Sequence, residues 1–122
     1  MSTPVVRAVR GAITVPADTS EQIREGTIEL LQTILDRNEL GHDDLVSIIF
    51  TVTHDLVSDF PAVAAREIGL ANVPLLCSQE IPVAGSMPRC IRVMVHCYAP
   101  PERQIRHVYL REARQLRLDL PE

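Results

Sequence analysis

The stretch LVSIIFTVT, from Leu45 to Thr53, is almost continuously apolar and rich in β-branched residues. A run of this length and composition predicts a β-strand that is covered on both faces. A second stretch, RCIRVMVHCY from Arg89 to Tyr98, alternates and therefore predicts a strand with two different faces. One face carries Ile91, Val93 and Val95, and the other carries Cys90, Arg92 and Met94.

The remaining segments predict further strands and one long helix. Residues 5–14 and 73–79 are predicted as strands, and 108–110 and 113–118 as short extended pieces. An apolar stripe predicts the helix over residues 20–38, and Thr19 and Gln22 form a capping-box pattern at its start. A short helix is expected to begin at Pro61 and end at Gly69, and a single helical turn is expected at 103–107.

These elements predict an α+β fold in one domain, residues 1–122, with a five-stranded mixed sheet, one long helix and short helical turns. One helix covers only one face of such a sheet, yet the strand at 45–53 is apolar on both faces. Because the chain has no further segment to cover the second face, we expect another copy of the chain to bury it.

Composition excludes several classes of function. All twelve basic residues are arginine, so lysine-based chemistry is excluded, and the net charge of −4 argues against a nucleic-acid binder. No apolar run is long enough to span a membrane. The three cysteines lack both disulfide-framework and zinc-ligand spacing, which favours reduced thiols, a cytoplasmic location and no metal site.

Two arginines lie on apolar strand faces, Arg10 between Ala8 and Ala12 and Arg92 between Cys90 and Met94. A buried arginine needs a partner, which is either a protein carboxylate such as Glu80 or Glu67, or a bound anion. The presence of two such arginines on separate strands favours a pocket that binds a ligand carboxylate.

Two other residues are candidates with simpler alternatives. Glu80 follows a strand and precedes a loop rich in proline and glycine, where it is either a site residue or an exposed charge. Cys77 is either a site residue or a small buried hydrophobe. Nucleophile, metal and phosphate-loop motifs are missing, so the residues alone predict an oligomeric α+β domain with an arginine-lined anion site.

Six short strings, in order, resemble the monofunctional Bacillus-type chorismate mutases from Arg7 to Leu120. They are Arg10-Gly11-Ala12 with Thr14-Val15, Phe60-Pro61-Ala62 with Arg66-Glu67, Cys77-x-Gln79-Glu80, Cys90 to Met94, Ile105 to Leu110, and Leu116-Arg117. The resemblance implies a homotrimeric pseudo-α/β barrel with active sites between adjacent subunits. It also implies the rearrangement of chorismate to prephenate, which is unimolecular and needs no nucleophile, metal or cofactor.

The resemblance also implies a role for each site residue. Arg92 would stabilise the negative charge that develops on the ether oxygen, and Arg10 and Tyr109 would bind a substrate carboxylate. The other expected site residues are Glu80 and Cys77 at the ring hydroxyl, Phe60, Ala62 and Leu116 in the apolar wall, Arg66 from the neighbouring subunit, and Arg117 at the substrate.

Two positions depart from the family pattern. Val63 stands where some relatives have lysine, and Leu76 where some have threonine. These departures remove a cation and a hydroxyl from the expected cleft and leave Arg92, Glu80 and Arg10 in place. The competing interpretations are a small trimeric ligand-binding or imine-hydrolysing protein, which would lack the paired strand arginines, and a structural oligomerisation module, which would leave those arginines unexplained.

Overall fold

Five strands form one mixed sheet in the computed structural model of the chain, which describes residues 3–118. Residue 119 onward, including the end of the predicted domain and of the family resemblance, lies outside the described residues. The strands are β1 (Val5–Thr14), β2 (Leu45–Val52), β3 (Leu75–Gln79), β4 (Cys90–Ala99) and β5 (Val108–Leu110). The helices are α1 (Ser20–Arg37), α2 (Pro61–Glu67) and 3₁₀ helices at His42–Asp44 and Arg111–Leu116.

The strand order across the sheet is β3-β2-β4-β1-β5. The central strand β4 runs antiparallel to both β1 and β2, while β5 and β3 add to the outer sides in parallel. The prediction of a five-stranded mixed sheet with one long helix is therefore confirmed for a single chain.

The helix α1 packs on one face of this sheet. Thr19 caps its N-terminus, because Oγ1 of Thr19 accepts a hydrogen bond from the Gln22 amide at 3.1 Å. The contact of α1 with β1 is close, because a Cβ added at Gly11 would lie 2.9 Å from Cδ1 of Ile34. The helix-covered face holds the main hydrophobic core, including Phe50 of β2. Among residues 3–118, no helix combines the length and apolarity that crossing a membrane requires.

The second face of the sheet, which we call the open face, is only partly covered within one chain. On β2, Ile48 and Phe50 are buried, but Ile49 between them is 37% exposed. Its neighbour Leu76 on β3 is 62% exposed. The prediction that β2 is covered on both faces therefore holds on only one face of the isolated chain.

Two local predictions near the C-terminal end are wrong. Residues 103–107 do not form a helical turn: Arg106 donates its amide to Oδ1 of Asn38 at 2.7 Å, so the segment is tied to the end of α1 instead. Residues 113–118 are not extended, since Arg111–Leu116 is a 3₁₀ helix. It begins where Arg111 adopts a positive φ of 55° and the Glu112 amide donates to Oγ1 of Thr14.

Candidate active site

A cleft of about 210 Å³ lies on the open face, where four neighbouring strands bring polar side chains together. Thr51 on β2 is in register with Arg92 on β4, and Ala12 of β1 lies opposite both Arg92 and Tyr109 of β5. The pleat therefore directs these residues to the same side of the sheet. The cleft is lined by Arg10, Gly11, Ile49, Thr51, Arg92, Val93, Met94 and Tyr109.

Arg92 is paired with Glu80 at the edge of this cleft. Its Nε lies 3.1 Å from Oε2 of Glu80, and the two side chains are 41% and 20% exposed. The Nε atom is buried yet has no aligned hydrogen bond to any described residue, so the contact is an ion pair by distance only. Of the two partners that the sequence left open for Arg92, the protein carboxylate is present, and the half-exposed guanidinium still borders the cleft.

Thr51 is a site residue that the sequence analysis missed. Its Oγ1 donates a hydrogen bond of 2.5 Å to Oε2 of Glu80, and Glu80 is anchored through its own amide to the carbonyl of Val52 at 2.8 Å. Thr51 is one of two hydroxyl residues in the mainly apolar strand β2, with Ser47, and its type and position gave no signal by themselves. Only the register of β2 against β4 shows that it faces Arg92.

Arg10 lies in the cleft, but the prediction that it is buried is wrong for the isolated chain, where it is exposed. The small residues around it leave the open face uncovered, and Ala8 next to it is also exposed. The Arg10 amide donates to Nδ1 of His107 at 3.0 Å, which ties β1 to the segment that leads into β5.

Tyr109 is held at the cleft by contacts on two sides. The guanidinium carbon of Arg117 lies 5.9 Å from the centre of its ring, in the range of a cation–π contact. Tyr109 and Leu116 also pack on a small cluster formed by Ala12, Cys90 and Ala113. Burial in this cluster raises the pKa of the Cys90 thiol to about 11, so Cys90 stays protonated at neutral pH.

A second, more open cleft of about 710 Å³ adjoins the first at Arg92. Leu116 lines it together with Arg92, and the role in the apolar wall that the family resemblance implies for Leu116 stays a prediction. Arg92 is thus shared by both clefts, which favours it as the centre of the site. The second cleft is lined by Gly85, Ser86, Met87, Pro88, Arg92, Glu112, Gln115 and Leu116.

Six predicted site residues do not line either cleft within the described part of one chain: Glu80 and Arg117, which contact Arg92 and Tyr109, and Cys77, Ala62, Phe60 and Arg66. Cys77 is in register with Phe50 and packs against the core on the helix-covered face. Ala62 on α2 is buried in the same core. Phe60, which immediately precedes α2, is 68% exposed. Arg66 on α2 is also exposed, and this helix packs against α1 and β3.

Electrostatics near Arg10 predict a dependence of stability on pH. Burial lowers the pKa of His107 below its ordinary value of 6.5, and the positive charges of Arg10 and Arg117 lower it further. The folded state therefore favours neutral His107, whose Nδ1 accepts the Arg10 amide only when unprotonated. The stabilisation is present above pH 6.5 and is lost as the pH falls from there through the lowered folded-state pKa.

The comparison that measures this effect is urea unfolding of the wild type and His107→Asn between pH 7.5 and 5, because asparagine keeps an acceptor and does not titrate. We expect the wild type to lose stability relative to the variant on acidification. Parallel pH profiles for the two proteins would contradict the assignment.

Comparisons with known proteins show which family this chain resembles. Residues 6–120 match the family model described as chorismate mutase type I. The chorismate mutase AroH of Thermus thermophilus is 52% identical over 118 residues, or 95% of this chain and 97% of the relative. AroH of Bacillus subtilis is 43% identical over 95% of this chain and 93% of the relative. A solved chorismate mutase structure from Clostridium thermocellum has a TM-score of 0.86 at 45% identity and covers 89% of this chain and 98% of that one.

Proposed function

The chain belongs to the type I chorismate mutase family and converts chorismate to prephenate, and we propose that fixed charge at Arg92 carries the catalysis. This isomerisation is a step in the biosynthesis of phenylalanine and tyrosine. The observation that supports the proposal is the cleft itself, in which Arg10, Arg92 and Tyr109 from three neighbouring strands border one space.

The proposed mechanism is electrostatic. In this rearrangement the ether C–O bond breaks while a new C–C bond forms, and no covalent intermediate with the enzyme arises. Negative charge develops on the ether oxygen in the transition state, and a guanidinium fixed beside it lowers the barrier because it needs no reorganisation. The Glu80 contact at Nε restrains Arg92, whose planar fork has further N–H donors for the substrate.

The remaining residues are proposed to select the reactive shape of the substrate. Arg10 and the Tyr109 hydroxyl bind a carboxylate, with Arg117 beside Tyr109, while Glu80 and the main chain of Cys77, whose side chain faces the helix-covered core, hold the ring hydroxyl. Binding chorismate with both reacting ends together lowers the entropic part of the barrier. No metal or cofactor takes part in this chemistry.

Arg10→Ala is expected to act mainly on substrate binding. A hydrogen bond to a charged group contributes about 1.5–3 kcal/mol, so KM should rise about tenfold or more while kcat changes less. Steady-state kinetics on chorismate would measure both constants. An unchanged KM would contradict the role of Arg10.

We further propose that the chain assembles as a homotrimer of the pseudo-α/β-barrel class, with its active sites between subunits. We also propose that this trimer is located in the cytoplasm. The open face supports this assembly, because Ile49 and Leu76 on it remain exposed in one chain. Arg66 and Phe60 lie on the helix-covered side, away from the cleft, and reach a site only across an interface. The free thiols of Cys77, Cys90 and Cys97 support a reducing compartment.

The experiment that tests the function follows the loss of chorismate absorbance and the appearance of prephenate with the purified chain in the presence of a chelator. Turnover without added metal or cofactor is expected. Binding of chorismate without turnover would favour the competing class of trimeric ligand-binding proteins, and a light-scattering mass of one chain at micromolar concentration would exclude the trimer.

A further inference from the structure

Thr51 and Arg92 contact the same carboxylate oxygen. The Thr51 hydroxyl donates to Oε2 of Glu80 at 2.5 Å, and Nε of Arg92 lies 3.1 Å from that atom. Thr51 also borders the cleft, in register with Arg92 on the neighbouring strand. The hydroxyl is therefore placed to influence how Glu80 and Arg92 meet.

The Arg92–Glu80 pair does not form the two parallel hydrogen bonds that arginine–carboxylate pairs favour. An arginine and a carboxylate left to themselves tend to form two parallel hydrogen bonds, which use both oxygens and two nitrogens. Here the buried Nε of Arg92 approaches Oε2 without the alignment of a hydrogen bond to any described residue. The shorter bond from Thr51 uses one acceptor position of that oxygen and restrains the rotation of the carboxylate.

We propose that Thr51 is a positioning residue that keeps the Arg92–Glu80 pair open. Its hydroxyl holds the Glu80 carboxylate away from a two-bond pair with Arg92, so the guanidinium charge remains available to the substrate. Without the hydroxyl, Glu80 closes onto Arg92 and neutralises the charge that the transition state requires. This inference rests on the role proposed above for Arg92.

The variants Thr51→Val and Thr51→Ser separate this role from packing. Valine keeps the shape and loses the hydroxyl, so kcat should fall about tenfold with little change in KM, because the lost charge acts on the transition state. Serine keeps the hydroxyl and should restore most of that kcat. Thr33→Val is the matched control, since it removes a hydroxyl on α1 that donates to the carbonyl of Glu29, away from the cleft.

A double-mutant cycle tests whether Thr51 acts through Glu80. In the Glu80→Gln background there is no carboxylate to close onto Arg92, so adding Thr51→Val should leave kcat unchanged. A tenfold loss that persists in this background would overturn the inference, as would wild-type kcat for Thr51→Val alone. Melting temperatures of all variants show whether the valine variant is folded.

Failure of this inference is distinguishable from failure of the proposed mechanism. If Thr51→Val is fully active while Arg92→Ala is inactive, the positioning role is wrong and the Arg92 mechanism stands. If Arg92→Ala is fully active, the mechanism itself is wrong.

Discussion

Arg92→Ala is expected to lower kcat by about 10²-fold or more, the scale seen when a preorganised donor to developing negative charge is removed. The guanidinium borders both clefts and is held on a central strand of the sheet. Because the ether oxygen carries little charge in the ground state, the loss should appear in kcat more than in KM.

Two further variants make this result specific. Arg92→Lys keeps a positive charge but loses the planar fork, so it should recover only part of the lost activity. Arg24→Ala removes an arginine whose exposed ion pair with Glu67 lies between α1 and α2, and should be close to wild type in kcat. Activity near wild type for Arg92→Ala would refute the role at the ether oxygen.

The sequence predicted the elements whose signals are local. The cap at Thr19 and the apolar stripe set α1, and strict alternation set β4, so both match the structure within about two residues. The segments at 103–107 and 113–118 were predicted wrongly because their conformations depend on distant partners, Asn38 for the first and, for the 3₁₀ helix that includes most of the second, Thr14.

The same distinction between local signals and distant partners applies to the site residues. Arg10, Arg92 and Tyr109 could be proposed from strand faces and the family resemblance, and they do meet in one cleft. The pairing of Glu80 with Thr51 could not be proposed, since it depends on the register between strands that are distant in sequence. The sequence also could not predict that Arg10 is exposed. Alternation of apolar and polar residues shows which residues share a strand face, but it does not show what covers that face.

The position of α2 leads to the last expected result, which concerns mixtures of two variants that each have reduced activity. Arg66 lies on the helix-covered side of its own chain, whereas Arg92 faces the cleft. If each site combines Arg92 of one subunit with Arg66 of the next, Arg66→Ala should lose activity about tenfold or more by itself.

Co-expression of the Arg66→Ala and Arg92→Ala chains should then restore activity. In a closed ring of three, a site is intact when its Arg92 comes from an Arg66→Ala chain and its Arg66 from an Arg92→Ala chain. Random assembly from equal amounts makes about one quarter of the sites intact, far above the mean of the two variants. Activity at that mean would place both arginines in the site of a single chain, because no mixture could then contain an intact site.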